Sequence, residues 1–288
     1  MNLCDQNEIR RVLTRHGFHF SKSKGQNFLV DDSVPEKIVS SAEVDAGCGV
    51  LEIGPGIGAL TAALSQKAGK VTAVELDRGL LPVLRETLSS RGNVELISGD
   101  ILKTDLRMLV KRSFPGLKPV VCANLPYNIT SPVLLALIKS YCFQRITVMV
   151  QREVALRMCS PAGRADYGAF SVFVQYHAEP TLLFDVPPSC FFPRPKVTSS
   201  VISLKTRGDP AAPVEDEALF FQVVRAAFAQ RRKTLLNALF AVFGSRLSKD
   251  TLRGILESCG FPADIRGERL DIPAFAALSR RIGAALAP

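Results

Sequence analysis

A short polar segment, ANLPYNI at residues 123–129, combines three groups that can act together on a planar substrate. Asn124 supplies a side-chain amide oxygen, and Pro126 biases the preceding Leu125 toward an extended conformation that orients its carbonyl. Tyr127 supplies a flat ring on which a base can stack. Two hydrogen-bond acceptors beside an aromatic face suit a planar amine, although an N-x-P sequence is also common in ordinary turns.

A glycine-rich segment, LEIGPGIGAL, lies upstream between an apolar run and a helical pattern. Gly54 and Gly56 permit a tight turn whose backbone N–H groups face a ligand at the start of a helix. Glu75 and Asp100 then follow the next two apolar runs, where Glu75 can accept both hydroxyls of a ribose and Asp100 the amine of an adenine. The combination predicts a nucleoside-containing cofactor, and the G-x-G-x-x-A spacing leaves a dinucleotide open at this point.

Alternating strand and helix patterns must position these groups. Five apolar runs are typical of strands: GVLEIG, KVTAVEL, NVELISGD, PVVCANL and RITVMV. Three segments between them are typical of helices: GALTAALSQKAG, RGLLPVLRETLSSRG and SPVLLALIKSY. This alternation predicts a mostly parallel sheet covered on both faces, with the polar strand ends at one edge.

The pattern changes after residue 165. Three segments predict the last strands of the same sheet, with an antiparallel member at one edge: AFSVFVQYHAEP, TLLFDV and VTSSVISLKT. GDPAAPVED is typical of a linker. Three helical segments follow it: EALFFQVVRAAFAQRRKTLLNALFAVFG, KDTLRGILESCG and IPAFAALSRRIGAAL. Ser248 is a predicted N-cap, and Gly244 and Gly260 are predicted helix stops.

The composition is that of a folded, basic protein. Of 288 residues, 47% are hydrophobic and 22% are charged, and the formal net charge is +9. This length accommodates two cores, and the charge favours a polyanionic partner without specifying a function. The first residues lack a long apolar run and no stretch approaches about 18 apolar residues, so we expect no secretory signal, no membrane span and a cytoplasmic location.

Cysteine usage indicates a reducing compartment. The 7 cysteines include no C-x-x-C pair, and the 3 histidines are not clustered beside them. We therefore expect free, buried thiols and no metal site.

The chain resembles the ribosomal RNA adenine N6,N6-dimethyltransferase family, whose members modify two adjacent adenosines near the 3′ end of small-subunit rRNA. The ANLPYNI segment is similar to the [D/N]-P-P-[Y/F]-like motif of S-adenosylmethionine-dependent methyltransferases that act on exocyclic amines. The matching segments cover nearly every landmark: KSKGQNFL, EIGPGIGALT, AVELD, GD at 99–100, ANLPYNI, QREVALRM, YGAFSVFVQY, FFPRPKVTSSV and AFAQRRKTLLNAL.

The resemblance implies an α/β fold, with a Rossmann-like, mostly parallel methyltransferase sheet that has one antiparallel edge strand and a small all-helical C-terminal domain. It divides the chain into an N-terminal basic arm over 1–30, a methyltransferase domain over 31–208 and a helical RNA-contacting domain over 212–288. It also implies S-adenosyl-L-methionine as cofactor and 16S rRNA within the small ribosomal subunit as partner. Nothing in the sequence demands more than a monomer.

The resemblance also implies roles for individual residues. The residues expected to act on the target adenine are Asn124, Leu125, Tyr127 and Phe191. Those expected to bind the cofactor are Asn27, Leu29, Gly54, Gly56, Glu75, Asp100 and Asn124. Phe191 is expected to sandwich a flipped adenine against Tyr127, whereas Phe192 is expected to belong to the core.

Basic residues in three segments are candidates for RNA contact: Lys22, Lys24, Arg194, Lys196, Arg231, Arg232 and Lys233. The last three form the densest cluster, predicted to continue a helix on which Arg225 shares the face of Arg232. A run of charges is also typical of an ordinary solvated surface.

Two alternatives remain open on sequence. One is the related 23S rRNA adenine methyltransferase, against which the helical tail and the RRKT segment argue. The other is a nucleic-acid-binding factor that keeps the fold without catalysis, against which the intact Asn124, Tyr127, Glu75 and Asp100 argue. A dehydrogenase would leave the segment from Asn124 to Tyr127 unexplained.

Overall fold

A seven-stranded sheet carries the polar strand ends in the computed structural model, which describes residues 1–18, 26–262 and 264–287. The strands of the described chain are β1 Phe28–Leu29, β2 Cys48–Ile53, β3 Lys70–Glu75, β4 Val94–Ser98, β5 Lys118–Asn124, β6 Arg145–Gln151, β7 Ala178–Val186, β8 Phe191–Phe192 and β9 Ser199–Thr206. Strands β1 and β8 form a separate antiparallel pair.

The strand order of the large sheet is β4-β3-β2-β5-β6-β9-β7. The five strands β4, β3, β2, β5 and β6 run parallel to one another. Strand β9 runs antiparallel to β6, from Arg145 opposite Lys205 to Gln151 opposite Ser199, and β7 lies outside it. The predicted fold class, a mostly parallel Rossmann-like sheet with an antiparallel member toward one edge, is confirmed.

The α-helices of the described chain are α1 Gln6–Arg15, α2 Ser33–Ser41, α3 Ala59–Ser65, α4 Leu80–Thr87, α5 Leu106–Ser113, α6 Thr130–Ser140, α7 Arg152–Cys159, α8 Ala169–His177, α9 Glu217–Ala229, α10 Leu235–Phe243, α11 Lys249–Ser258 and α12 Ile272–Leu286. Short polar side chains begin many of them. The Asp105 carboxylate accepts the backbone N–H groups of Arg107 and Met108, and the predicted cap Ser248 accepts that of Thr251. None of the described helices is both long and apolar enough to cross a bilayer.

The segment AFSVFVQYH was wrongly predicted as a strand and forms helix α8. Six of its 9 residues are buried, including Val172, Phe173 and Val174 in succession, and none is exposed. The apolar residues of a helix that is buried on most of its circumference show no 3.6-residue period. The β-branched and aromatic residues of this segment therefore favoured the strand prediction. The Ser171 hydroxyl, which accepts the Gly168 N–H at 3.1 Å, helps to begin the helix.

The segment predicted as one helix from Glu217 to Gly244 is interrupted. Helix α9 ends at Ala229, and α10 begins only at Leu235, where the Thr234 side chain caps it. The placement of the cluster 231–233 on a helix was therefore wrong, because these residues lie in the intervening turn. The predicted stops are correct, since Gly244 caps α10 and Gly260 follows α11 with a φ of 75°.

The residue contacts divide the chain into two units. The first comprises Met1–Ala155 and Thr181–Thr206, and it contains most of the large sheet. The second comprises Leu156–Pro180 and Arg207–Pro288, so α8 groups with the C-terminal helices. This differs from the boundary expected between 208 and 212, because Tyr176 of α8 stacks on Phe220 of α9 with ring centroids 4.8 Å apart.

Candidate active site

A cavity lies at the carboxyl ends of β2, β3, β4 and β5. Because parallel strands end at the same edge of a sheet, the polar groups that follow them meet there. Eight of the residues predicted from sequence line this cavity: Asn27, Gly54, Gly56, Glu75, Asp100, Asn124, Leu125 and Tyr127. The structure thus brings the glycine turn, both acids and the ANLPYNI segment into one site.

The glycine turn forms one wall of the cavity. Gly54 and Gly56 have φ values of 67° and 62°, in the left-handed region that side chains disfavour. A Cβ on Gly56 would lie 3.1 Å from the Phe28 ring, which lines the same cavity. The turn therefore presents backbone, rather than side chains, to whatever occupies this wall.

The two predicted acids are held by backbone N–H groups. The Glu75 carboxylate is buried and accepts the Asp77 N–H at 2.7 Å. Burial raises the pKa of Glu75 to about 7. The Asp100 carboxylate accepts the Leu102 N–H at 3.0 Å, which caps a short 3₁₀ helix over Ile101–Lys103. Both carboxylates are thus fixed at the cavity wall, where they can accept hydrogen bonds from hydroxyls or an amine.

Asp77 lines the cavity and was not singled out from the sequence. Its carboxylate accepts a hydrogen bond from the Gln26 amide at 2.8 Å and another from the Gly79 N–H at 3.0 Å. The contact holds the N-terminal segment against the end of β3. The only sequence signal was its position in AVELD, directly after the strand that carries Glu75.

The ANLPYNI segment is anchored by its backbone. The Leu125 N–H donates to the Met149 carbonyl at 3.1 Å, and the Pro126 carbonyl accepts the Ile129 N–H at 3.2 Å. The Asn124 amide nitrogen donates to the Asn27 carbonyl at 3.4 Å. With its nitrogen engaged in this way, the Asn124 side chain leaves its oxygen to act as an acceptor.

The Tyr127 ring is fixed at its polar end. Its hydroxyl lies 2.6 Å from the Ser199 hydroxyl, at the start of β9. Burial raises the pKa of Tyr127 above its ordinary value, so the phenol stays neutral. The ring is therefore a flat, uncharged part of the cavity lining.

Phe191 and Phe192 are buried to different degrees. Phe191 is only 2% exposed and packs in the core, whereas Phe192 is partly exposed and lies under the Arg10 guanidinium, 4.6 Å from its centroid. Both rings pack against buried clusters, so the expected core position of Phe192 is confirmed in part, and Phe191 is the more deeply buried of the two. Leu29 pairs with Phe191 and is also buried, and neither residue is among those that line the cavity.

The RNA-contact candidates fall into three groups. Arg194 and Lys196 are exposed between β8 and β9, and Arg232 and Lys233 are exposed in the turn before α10. Arg231 is exposed as well, but it also contacts the protein: its guanidinium donates to the carbonyls of Ala165 and Tyr167 and lies 3.9 Å from the Glu268 carboxylate. Lys22 and Lys24 lie outside the described residues.

Glu52 is a second buried acid, in β2 beneath the glycine turn, and was not singled out from the sequence. It is 1% exposed, and its Oε2 has no hydrogen-bond partner among the described residues. Burial raises the pKa of Glu52 to about 8. Among the described residues, no cluster of three or more His, Cys, Asp or Glu side chains is arranged to hold a metal ion.

Glu52 should make the protein less stable as the pH rises. Its folded-state pKa of about 8 exceeds the ordinary value of 4.5, so the folded protein holds this proton more tightly than the unfolded chain. The stabilisation that comes from this tighter proton binding is complete below about pH 4.5 and is lost as the pH approaches 8. We expect Glu52→Gln to raise the melting temperature at pH 8.5 relative to the wild type, with a smaller difference at pH 5.

Thermal unfolding of both proteins at the two pH values tests this prediction. Glu95→Gln is the matched control, because its carboxylate pairs with Lys70 at 2.8 Å and has a lowered pKa. That substitution should lower the melting temperature at both pH values. A Glu52→Gln protein that is no more stable than the wild type at pH 8.5 would contradict the prediction.

A protein-family model and several named proteins match most of this chain. A family model described as ribosomal RNA adenine dimethylase matches residues 17–258. The chain is 48% identical over 280 residues to a protein of Lachnoclostridium phytofermentans named ribosomal RNA small subunit methyltransferase A, covering 96% of both chains. It is 43% identical over 276 residues to the protein of that name from Alkaliphilus oremlandii, again covering 96% of both.

Solved structures show the same fold. A dimethyladenosine transferase from Plasmodium falciparum superimposes with a TM-score of 0.76 at 26% identity, covering 89% of this chain and 98% of that one. The 23S rRNA methyltransferase ErmE superimposes with a TM-score of 0.67 at 24% identity, covering 89% of this chain and 99% of that one.

Proposed function

Because the chain belongs to the ribosomal RNA adenine dimethylase family, we propose that it dimethylates the N6 amines of two adjacent adenosines near the 3′ end of 16S rRNA. The methyl donor is S-adenosyl-L-methionine, and the substrate is the small ribosomal subunit during its biogenesis in the cytoplasm. The protein acts as a monomer and needs no metal ion for this reaction.

The convergence of the glycine turn, Glu75, Asp100 and Asn124 on one cavity carries this proposal. The glycine wall leaves room for backbone contact, and the two carboxylates suit ribose hydroxyls and an adenine amine. These residues therefore fit S-adenosylmethionine, which supplies a methyl group on a positively charged sulfonium. An amine that approaches this sulfonium would meet the Asn124 oxygen, because Asn124 lines the same cavity.

Asn124 supplies the main chemical assistance. The lone pair of an exocyclic adenine amine is delocalised into the ring, so the amine is a poor nucleophile. An acceptor on each N–H favours the pyramidal nitrogen that forms during methyl transfer, and this interaction is stronger in the transition state than in the ground state. The Asn124 oxygen and the Leu125 carbonyl provide the two acceptors. The N–H becomes acidic only after attack, so its proton can leave to water without a general base.

Tyr127 orients the base. Extruding an adenine from an RNA stack costs a few kcal/mol, and stacking on an aromatic ring returns part of it. The hydrogen bond to Ser199 holds the Tyr127 ring in place before the base arrives. Phe191 is proposed as a second stacking partner, although its buried ring requires β8 to shift before it can contact a base. Alignment of the amine with the sulfonium methyl supplies most of the remaining acceleration.

The direct test incubates the protein with labelled S-adenosylmethionine and small ribosomal subunits that lack this modification. The RNA is then digested, and its methylated nucleosides are identified by mass spectrometry. N6,N6-dimethyladenosine at two adjacent positions is the expected product. Cofactor binding without product would contradict the assigned substrate, and absence of both would favour the non-catalytic alternative.

We propose that Arg232 and Lys233, in the turn before α10, contact RNA, whereas Arg231 in the same turn stabilises the fold. Arg232→Ala with Lys233→Ala should weaken binding to small subunits, because two exposed cations are lost. The slope of log affinity against log salt should fall by roughly 1–2, and the melting temperature should not change. Arg231→Ala should instead lower the melting temperature, since its contacts to Tyr167 and Glu268 are lost. Salt slopes identical to the wild type in the double variant would contradict the contact.

A further inference from the structure

Helix α1 carries an exposed arginine close to the active site, although the proposed reaction assigns no role to this helix. The arginine is Arg10. Two more exposed cations, Arg194 and Lys196, lie in the segment that joins β8 to β9. We call these three residues the α1 surface.

The packing of α1 fixes the position of Arg10. Ile9, Val12 and Leu13 recur at the spacing of one helical face, and all three are buried. They pack in the same apolar cluster as Phe28, which also lines the cavity. Arg10 therefore belongs to a helix that is docked against a wall of the active site.

An aromatic ring connects Arg10 to that wall. The Arg10 guanidinium lies over the Phe192 ring, 4.6 Å from its centroid. Phe192 in turn pairs in register with Phe28 across β8 and β1. A cation within about 6 Å of a ring centroid is attracted to the face of the ring. The contact therefore orients the guanidinium one strand pair away from the cavity lining.

The neighbouring cations of α1 are paired with carboxylates, whereas Arg10 is not. The Arg11 guanidinium pairs with Glu8, and the Arg15 guanidinium pairs with Glu86 of α4. Within the part of the chain that the structure describes, the three members of the α1 surface form no hydrogen bond or ion pair with another side chain. Their positive charge is thus not neutralised by the protein.

The carboxylates closest in sequence to α1 and β1 have other partners. Asp5 accepts the backbone N–H groups of Asn7 and Glu8 at 2.9 and 2.8 Å, and so caps α1. Asp31 accepts the backbone N–H of Ser33 at 3.1 Å and its hydroxyl at 2.6 Å. Residues 19–25, which lie outside the described residues, include no Asp or Glu. The α1 surface is therefore open to an anion from outside the chain.

The chemistry of this surface suits phosphate groups. A guanidinium can rest one face on an aromatic ring while the N–H groups at its edge bind two phosphate oxygens. A nucleotide whose base enters the cavity brings its own phosphate, and those of its neighbours, to the surrounding surface. Contacts to phosphates position a nucleic acid without reading its sequence.

We propose that the α1 surface binds the phosphate backbone of the substrate RNA next to the target adenosines, with Arg10 oriented for this contact by the Phe192 ring. This inference rests on the proposed function, since it assumes that an RNA base enters the cavity. It assigns α1 a role in holding the substrate, and it joins Arg10 to Arg194 and Lys196 in one contact region.

Variants at adjacent positions of one helix test the proposal. Arg10→Ala removes the cation, and Arg10→Lys keeps the charge without the planar guanidinium. Arg11→Ala is the matched control, because it removes a neighbouring exposed cation that is paired with Glu8. The double variant Arg194→Ala with Lys196→Ala is prepared with and without Arg10→Ala. Binding to unmodified small subunits is measured over a range of salt, with cofactor affinity and melting temperature as checks of folding.

Arg10→Ala should bind roughly three- to tenfold more weakly, and the slope of log affinity against log salt should fall by about 1. Arg10→Lys should keep the wild-type slope and bind at an intermediate level. The triple variant should lose roughly 2–3 from the slope. Arg11→Ala should differ from the wild type by less than about twofold in affinity, since an exposed cation that is already paired adds little. Cofactor affinity should be unchanged in every variant.

Equal affinities and salt slopes for Arg10→Ala and Arg11→Ala would overturn the proposal. A weaker Arg10→Ala with a wild-type salt slope would overturn it too, because Arg10 would then hold α1 in place or contact a ribosomal protein rather than a phosphate. If Arg10→Ala does not fold, the double variant decides the question. A wild-type salt slope in that variant would refute the α1 surface.

Methylation by the wild type in the same preparation separates the two levels of inference. Absence of dimethyladenosine there refutes the proposed function. Normal methylation by the wild type, together with an Arg10→Ala variant that binds like the Arg11→Ala control, refutes only the α1 surface.

Discussion

Replacing Asn124 by alanine is expected to slow methyl transfer by roughly 10²–10³-fold or more while the protein stays folded and keeps its cofactor affinity. The alanine removes the side-chain oxygen that we assign to the reacting amine. Because that hydrogen bond strengthens as the nitrogen becomes pyramidal, its loss acts on kcat rather than on KM. Single-turnover methylation of unmodified small subunits measures the effect directly.

Two further variants sharpen the Asn124 test. Asn124→Asp keeps an acceptor oxygen but loses the donation to the Asn27 carbonyl, so its rate should lie between those of the alanine variant and the wild type. Asn128→Ala removes a neighbouring exposed amide that also lines the cavity but has no assigned acceptor role, so it should retain activity within a few-fold. A fully active Asn124→Ala enzyme would refute the mechanism. An equal loss of methylation rate in the Asn124→Ala and Asn128→Ala variants would refute the assignment of the acceptor role to Asn124 alone.

Replacing Glu75 by alanine is expected to weaken binding of S-adenosylmethionine by roughly a hundredfold. Two hydrogen bonds from ribose hydroxyls to a carboxylate would be lost, each worth about 1.5–3 kcal/mol before compensation by water. Removing a buried acid with a raised pKa should not destabilise the fold above pH 7. Isothermal titration with the cofactor, together with thermal unfolding, separates loss of binding from loss of folding.

The raised pKa of Glu75 also predicts a pH dependence of binding. The carboxylate is largely protonated below a pKa of about 7 and ionised above it, so the acceptor forms as the pH rises through neutrality. The cofactor Kd should therefore fall between pH 6 and pH 8. Glu75→Gln, which keeps a neutral acceptor, should bind at an intermediate level without this dependence. A wild type and a Gln variant with parallel pH profiles would contradict the assignment.

The parallel part of the sheet was predictable from sequence, and so were the site residues that directly follow its strands. Strands separated by helices determine a parallel sheet, and the carboxyl ends of such strands meet at one edge. The glycine turn, Glu75, Asp100 and Asn124 each follow a strand directly, so their convergence required no tertiary information beyond this topology. Local signals of this kind depend on residues that are close in the chain.

The errors came from burial and from contacts between distant segments. Helix α8 is buried on most of its circumference, so it lost the period that marks a surface helix. Arg231 is a surface cation as expected, but the Tyr167 carbonyl and the Glu268 carboxylate also contact it, which the sequence did not indicate. The buried position of Phe191 follows from its pairing with Leu29 across β1 and β8. None of these partners is encoded near the residue it affects.

By itself the sequence predicted the mostly parallel sheet and the meeting of the glycine turn, Glu75, Asp100 and the ANLPYNI segment at one edge of it, because each rests on short-range pattern and parallel topology. Only the tertiary structure decided which acids are buried, which of the two phenylalanines is fully buried and which cations also contact the protein. Those properties depend on desolvation and on hydrogen bonds between residues far apart in the chain, and both are fixed only when the chain is packed.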